Sequence, residues 1–113
     1  MATHAALALE ALGDGTRRTI LELVAKAPTS VTAIADQLPV SRPAVSQHLR
    51  VLRDAGLVTA SPRGTQRIYA LDPGGVRQVQ AYFDGLWGDA IDRFARAADE
   101  AAATVAATPP PTR

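Results

Sequence analysis

The sequence predicts a mainly α-helical fold with one small β-hairpin, an α+β arrangement in a single domain. Three observations predict it. Five segments have helical character, four of them before residue 56 and a long one after residue 75. Two short β-prone runs, 57–62 and 66–71, lie between the fourth and the fifth. Capping residues and chain breakers stand at the boundaries, where helices start and stop.

The first helix is expected at about Ala5 to Leu12. It is almost wholly apolar, so it needs burial on most sides. Asp14 is placed to cap a second helix, about Gly15 to Ala27, with Ile20, Leu21, Leu23 and Val24 inward and Pro28 ending it. Ser30 caps a short third helix, about Val31 to Leu38, with Val31, Ile34, Ala35 and Leu38 inward.

The fourth helix carries most of the information. Ser41 is its N-cap, Pro43 sits in the first turn where a missing N–H costs nothing, and Gly56 stops it. Val45, Leu49 and Leu52 form one apolar stripe. Arg42, Ser46, Gln47, Arg50 and Arg53 fall off that stripe, and none is acidic. Such a helix, with an apolar back and a donor-rich face, suits base edges and phosphates. Its bland alternative is an ordinary amphipathic surface helix. Two short helices with a tight turn, the second rich in donors, make a helix-turn-helix.

In the hairpin, Leu57 to Pro62 and Gln66 to Leu71 are the strands, and Arg63-Gly64-Thr65 separates them. Arg63 is expected at the tip, within reach of a minor groove or a phosphate. Asp72-Pro73-Gly74-Gly75 breaks the chain, and the last helix runs from about Val76 to Ala103. Residues 1–107 form the expected DNA-binding and dimerisation domain, and 108–113 an expected disordered, proline-rich tail.

Composition narrows the function. Hydrophobic residues make up 47% of the 113 and aromatics 4%, so the core is largely Ala, Leu and Val. The chain has no cysteine, which excludes disulfides and thiolate metal sites and fits a cytoplasmic protein. No apolar run is long enough for a membrane span, and no basic segment precedes the first apolar residues as in a signal peptide. The net charge of +1 says little, but its distribution is uneven. Residues 1–40 carry −1, residues 41–71 carry +4 and residues 72–108 carry −3. A basic stripe is the footprint of phosphate binding, although charge runs also simply solvate a face.

The last helix has an apolar stripe of Val76, Val79, Phe83, Leu86, Trp87, Ala90, Ile91 and Phe94. Together with Leu7 and Leu9 of the first helix, this is more apolar surface than one small domain covers. Leu7, Leu9, Val79, Phe83, Leu86, Trp87, Ile91 and Phe94 are therefore the expected interface of a two-fold homodimer. Such a dimer would place two recognition helices about one DNA turn apart, ~34 Å.

The run Ser46-Gln-His-Leu-Arg-Val-Leu-Arg-Asp-Ala-Gly-Leu-Val58 after a helix-turn-helix, with a wing ending in Tyr69-Ala-Leu71, resembles the ArsR/SmtB winged-helix transcriptional regulators. The stretch Ala11 to Val24 is similar to that family's first two helices, and the likeness covers about residues 5 to 100. The resemblance implies a homodimer on an inverted-repeat operator in double-stranded DNA, usually a repressor released by an effector. It implies DNA contacts from Ser41, Arg42, Pro43, Ser46, Gln47 and His48, with Arg63 and Arg67 on the wing. Arg50 joins this set as a phosphate holder on the same helix. Two family metal sites are missing. No paired-cysteine motif stands in Val31 to Leu38, and the last helix has no histidine.

Metal ligation has one further candidate. Removal of Met1 would expose Ala2-Thr3-His4, whose amine, two amides and imidazole offer four nitrogens in a plane, a geometry suited to Ni(II) or Cu(II). His48 borders the buried stripe and suits packing or a phosphate contact better than ligation. Asp84, Asp89, Asp92 and Asp99 read as a solvated helix face. No nucleophile–base set and no phosphate-cradling glycine loop suggests an enzyme. Other readings consistent with the sequence are a winged helix used as a protein-interaction module, and an activator controlled by a partner protein.

Overall fold

The computed structural model describes residues 4–107. Their order is α1 (His4–Ala11), α2 (Gly15–Lys26), β1 (Thr29–Ser30), α3 (Val31–Ala35), α4 (Arg42–Asp54), β2 (Val58–Arg63), β3 (Gln66–Leu71) and α5 (Pro73–Ala107). Contacts divide the chain into two units, one up to Gln80 and one from Ala81.

Three of the sequence's caps form as their chemistry requires. Asp14 Oδ1 accepts from the Arg17 N–H at 3.0 Å, Ser30 Oγ from Ala33 N–H at 3.2 Å, and Ser41 Oγ from Ala44 N–H at 3.3 Å. At the far end of α4, Gly56 takes φ 78°, a left-handed turn that suits a residue without Cβ. This turn lets Gly56 N–H donate to Arg53 C=O at 2.9 Å and Leu57 N–H to Leu52 C=O at 3.0 Å, which satisfies the last carbonyls of the helix.

The core of the first unit gathers around fully buried Ile20, Ile34, Val45, Leu49 and Leu52, with Val24, Leu57 and Val58 beside them. Only one stripe of α1 reaches it, Ala5, Ala8 and Ala11, while Leu7 stays exposed and Leu9 half-buried. The expectation of burial on most sides therefore does not hold within one chain. Leu21, Leu23, Val31, Ala35 and Leu38 pack on the core's edge rather than inside it.

Three elements differ from the sequence expectation. The hairpin is part of a three-stranded antiparallel sheet in the order β1-β3-β2, because Thr29 and Ser30 pair with Tyr69 and Ile68. Two residues carry no periodic signal, so this strand is defined by its partner. Helix α3 stops at Ala35, three residues early. Gln37 N–H closes the turn on Ile34 C=O at 3.0 Å, and Pro39 disfavours a helical Leu38. Helix α5 begins at Pro73, three residues early. Asp72 Oδ1 accepts from Gly74 N–H at 3.0 Å and its carbonyl from Val76 N–H at 3.2 Å, so the expected chain break is a capped helix start. The helix also runs on to Ala107 rather than ending near Ala103, through an alanine-rich segment of high helix propensity.

The second unit is the helical segment from Ala81 to Ala107. Tyr82, Phe83, Leu86, Trp87, Ile91 and Phe94 are all exposed along it, Phe94 at 76%. Tyr82 and Phe83 meet edge to face, their ring centres 5.9 Å apart. In the described residues no helix is long and apolar enough to cross a membrane.

Candidate nucleic-acid interface

Helix α4 presents the expected residues because its apolar stripe is fully consumed by the core. With Val45, Leu49 and Leu52 buried, a 3.6-residue repeat turns Pro43, Gln47 and Arg50 to the opposite face. Arg42, Ser46 and Arg53 occupy the flank beside it. Ser41, Arg42, Pro43, Ser46, Gln47 and Arg50 are all exposed.

The wing supplies the other two residues of the expected set. Strands β2 and β3 pair from Val58↔Leu71 to Arg63↔Gln66. The connection is thus the two-residue turn Gly64-Thr65, with Gly64 at φ 62° in the position where a tight hairpin turn of this hand places glycine. Arg63 is the last paired residue of β2 rather than a residue of the tip, and it is exposed, as is Arg67.

His48 lies apart from these. It is half-buried, and its charge lies close enough to Asp14 to help hold that carboxyl below its ordinary value. The hydrogen bond from the Arg17 N–H is the larger cause of that lowering.

The structure adds a feature that linear spacing conceals. Ser46, Arg50 and Arg53 of α4 line one cleft with Arg67 and Tyr69 of β3 and Val31 of α3. The cleft holds about 470 Å³. A smaller recess of about 200 Å³ adjoins it through Val31 and Arg67 and is lined by hydroxyl and amide side chains, among them Ser30, Thr32 and Gln66. Among the described residues the one ion pair is Arg17 with Asp14, at 4.0 Å, so none of the three cleft arginines has a carboxylate partner. The sequence marks Arg53 as a donor. Its place opposite Arg67 depends on the hairpin's return past α3.

Of the expected metal residues, Ala2 lies outside the described residues and His4 is described only as the first residue of α1. No group of three or more His, Cys, Asp or Glu side chains is gathered for a metal among the described residues. Asp84, Asp89, Asp92 and Asp99 are exposed along α5. Of the expected interface residues, Val79 packs against the core of its own chain, whereas Leu7, Phe83, Leu86, Trp87, Ile91 and Phe94 are exposed. The expected proline-rich tail, 108–113, lies outside the described residues.

A helix-turn-helix with an exposed donor face, followed by a two-stranded wing, defines a winged-helix DNA-binding protein. The family model described as "Bacterial regulatory protein, arsR family" matches residues 14–60. The HTH-type transcriptional regulator Rv2034 of Mycobacterium tuberculosis is 49% identical over 92 residues, 81% of this chain and 86% of that protein. An ArsR-like transcriptional regulator from Rhodococcus sp. RHA1 superposes with a TM-score of 0.72 at 28% identity, over 87% of this chain and 92% of that one. The homodimeric winged helix-turn-helix DNA-binding domain of Mb0332 from Mycobacterium bovis superposes with a TM-score of 0.62 at 29% identity, over 76% of this chain and 80% of that one. The chain belongs to the ArsR family of DNA-binding transcriptional regulators. It is a regulator and not an enzyme.

Proposed function

We propose that the protein is a cytoplasmic repressor that binds an inverted-repeat operator as a homodimer. The observation that carries this reading is the exposed donor surface running from Arg42 along α4 to Arg67 on the wing, whose arginines have no carboxylate partner among the described residues. In this reading the N-terminal half of α4 enters the major groove. Arg42 reads guanine and Gln47 reads adenine, each through two hydrogen bonds. Ser41, Pro43, Ser46 and Arg50 lie against the backbone, with His48 at the edge of the contact. Arg63 and Arg67 hold the flanking phosphates. The exposed apolar side chains Leu86, Trp87, Ile91 and Phe94 are the surface that a second copy covers.

The effector is the finer part of the proposal. The sequence Ala2-Thr3-His4, once freed of Met1, offers four nitrogens for Ni(II) or Cu(II), the last of them from the first residue of α1. Ni(II) binding should vanish when the terminal amine is blocked.

The test is fluorescence anisotropy of tag-free protein with DNA from upstream of its own gene, against scrambled DNA, at stepped salt. The reading predicts preference for the upstream DNA and an affinity that falls about 10³-fold or more between ~50 and ~200 mM salt. Salt-insensitive or absent binding to every DNA would point instead to a protein-interaction module.

A further inference from the structure

A second cleft opens where α1, α2 and α4 meet, and it shares no residue with the cleft on the wing side. It holds about 340 Å³. Pockets for small molecules span about 300 to 1,000 Å³. Buried Ala11 and Ala55, half-buried Val51 and exposed Leu7 give it an apolar lining. Glu10 and Asp54 also line it. Among the described residues the one ion pair is Arg17 with Asp14, so neither of these carboxylates has a cationic partner.

The helices reinforce that negative charge. Glu10 and Ala11 end α1, and Asp54 ends α4. The C-terminal carbonyls of a helix carry about half a negative charge and favour a nearby cation. Neither helix supplies one to the cleft. The last turn of α1 has no basic residue, and Arg53 in the last turn of α4 lines the wing-side cleft instead. Arg17 is the one basic side chain in the lining, and Asp14 matches its charge at 4.0 Å. An entering anion meets two carboxylates and two negative helix ends. A small hydrated cation makes no use of the apolar lining. An organic cation uses both.

We propose that this cleft binds a primary ammonium carrying an apolar body. The ammonium donates to the Glu10 and Asp54 carboxylates, and the apolar body covers Ala11, Val51 and Ala55. The site itself does not depend on the DNA-binding reading. Its consequence does: the ligand lies against the last turn of the helix that enters the major groove, and joins that turn to α1.

The test is titration of phenethylammonium chloride into the full-length, DNA-free protein at neutral pH and fixed ionic strength, following backbone amide resonances. Saturable binding of one phenethylammonium per chain is expected, with shifts centred on Leu7, Ala11, Val51 and Ala55. Ammonium ion lacks the apolar body and hydrocinnamate replaces the cation by a carboxylate, so each should bind at least about tenfold more weakly. Glu10→Gln and Asp54→Asn should each weaken phenethylammonium about two- to fivefold, and together about tenfold, as exposed ion pairs do. Glu22→Gln removes the same charge from an exposed position outside the cleft and should leave the affinity unchanged. All three positions are exposed, and retained circular dichroism shows that the variants keep the fold. No saturable shifts in the wild-type protein, or equal weakening by Glu22→Gln, would overturn the proposal. A second copy of the chain is the competing occupant. If Glu10→Gln and Asp54→Asn dissociate the dimer in sedimentation and leave phenethylammonium affinity unchanged, the carboxylates serve that copy and the proposal falls. Binding is read without DNA, so failure of the regulator reading leaves this result standing.

Discussion

Gly75, in the first turn of α5, lies so close to the carbonyl oxygen of Gly56 that a Cβ on residue 75 would collide with it. This approach joins the left-handed stop of α4 to the start of α5. It is reinforced by Asp72 N–H donating to Leu57 C=O at 2.9 Å. The two glycines thus fix the first turn of α5 against the end of α4.

Helical glycines normally gain from replacement by alanine, by up to ~1 kcal/mol. At residue 75 the sign should invert. Gly75→Ala should cost about 1–3 kcal/mol, because a backbone carbonyl and not a flexible side chain stands in the way. Gly85→Ala is the control, since nothing lies within 4 Å of a Cβ there and it points away from the apolar stripe. Urea denaturation should show the first variant less stable than wild type and the second at least as stable.

Asp14 links stability to pH. Its carboxyl is held below the ordinary value, first by the Arg17 N–H and then by the charges of His48 and Arg17, against an opposing effect of burial. A lowered carboxylate stabilises the fold above its ordinary value of 3.8, and that contribution is lost as pH falls through the lower folded value. Asp14→Ala should therefore be less stable than wild type at neutral pH, with the gap closing below about pH 4. Asp14→Asn keeps a capping oxygen and should retain more of the neutral-pH stability. Thermal unfolding of the three proteins across pH 3 to 7 checks this.

Base reading and phosphate holding should separate by mutation. Gln47→Ala should cost about 1–3 kcal/mol at one base position and relax preference there, while Arg63→Ala should weaken all sequences alike. Equal losses for Gln47→Ala on operator and on random DNA would remove Gln47 from the reading.

The apolar face of α5 should report dimerisation. Leu86 and Trp87 are about half exposed and Ile91 is 61% exposed in the single chain. Trp87 emission should shift to the red on dilution and in Leu86→Asp combined with Phe94→Asp. Sedimentation equilibrium should show that variant as a monomer. A monomeric wild-type protein at micromolar concentration would refute the interface.

Much of the DNA-facing unit is legible in the sequence, since its determinants are local. The caps Asp14, Ser30 and Ser41, the stripe Val45-Leu49-Leu52 and the stop at Gly56 each act within a few residues. What escapes is decided at a distance. Thr29 and Ser30 become a strand because Tyr69 and Ile68 pass beside them. Asp72-Pro73-Gly74-Gly75 reads as a turn, yet its side-chain cap and the close approach to Gly56 make it a helix start. The same is true of the site. Arg42, Gln47 and Arg50 follow from helical spacing, whereas the cleft that Arg53 and Arg67 both line needs the folded hairpin.

In the proposed complex, two copies of α4 read the two halves of one operator. Selection of bound sequences from a random duplex pool tests it most directly. An inverted repeat with half-site centres about 10 base pairs apart should be enriched, and in Gln47→Ala the preference should be lost at one position of each half. Enrichment of a lone half-site, or no enrichment at salt low enough for binding, would contradict it.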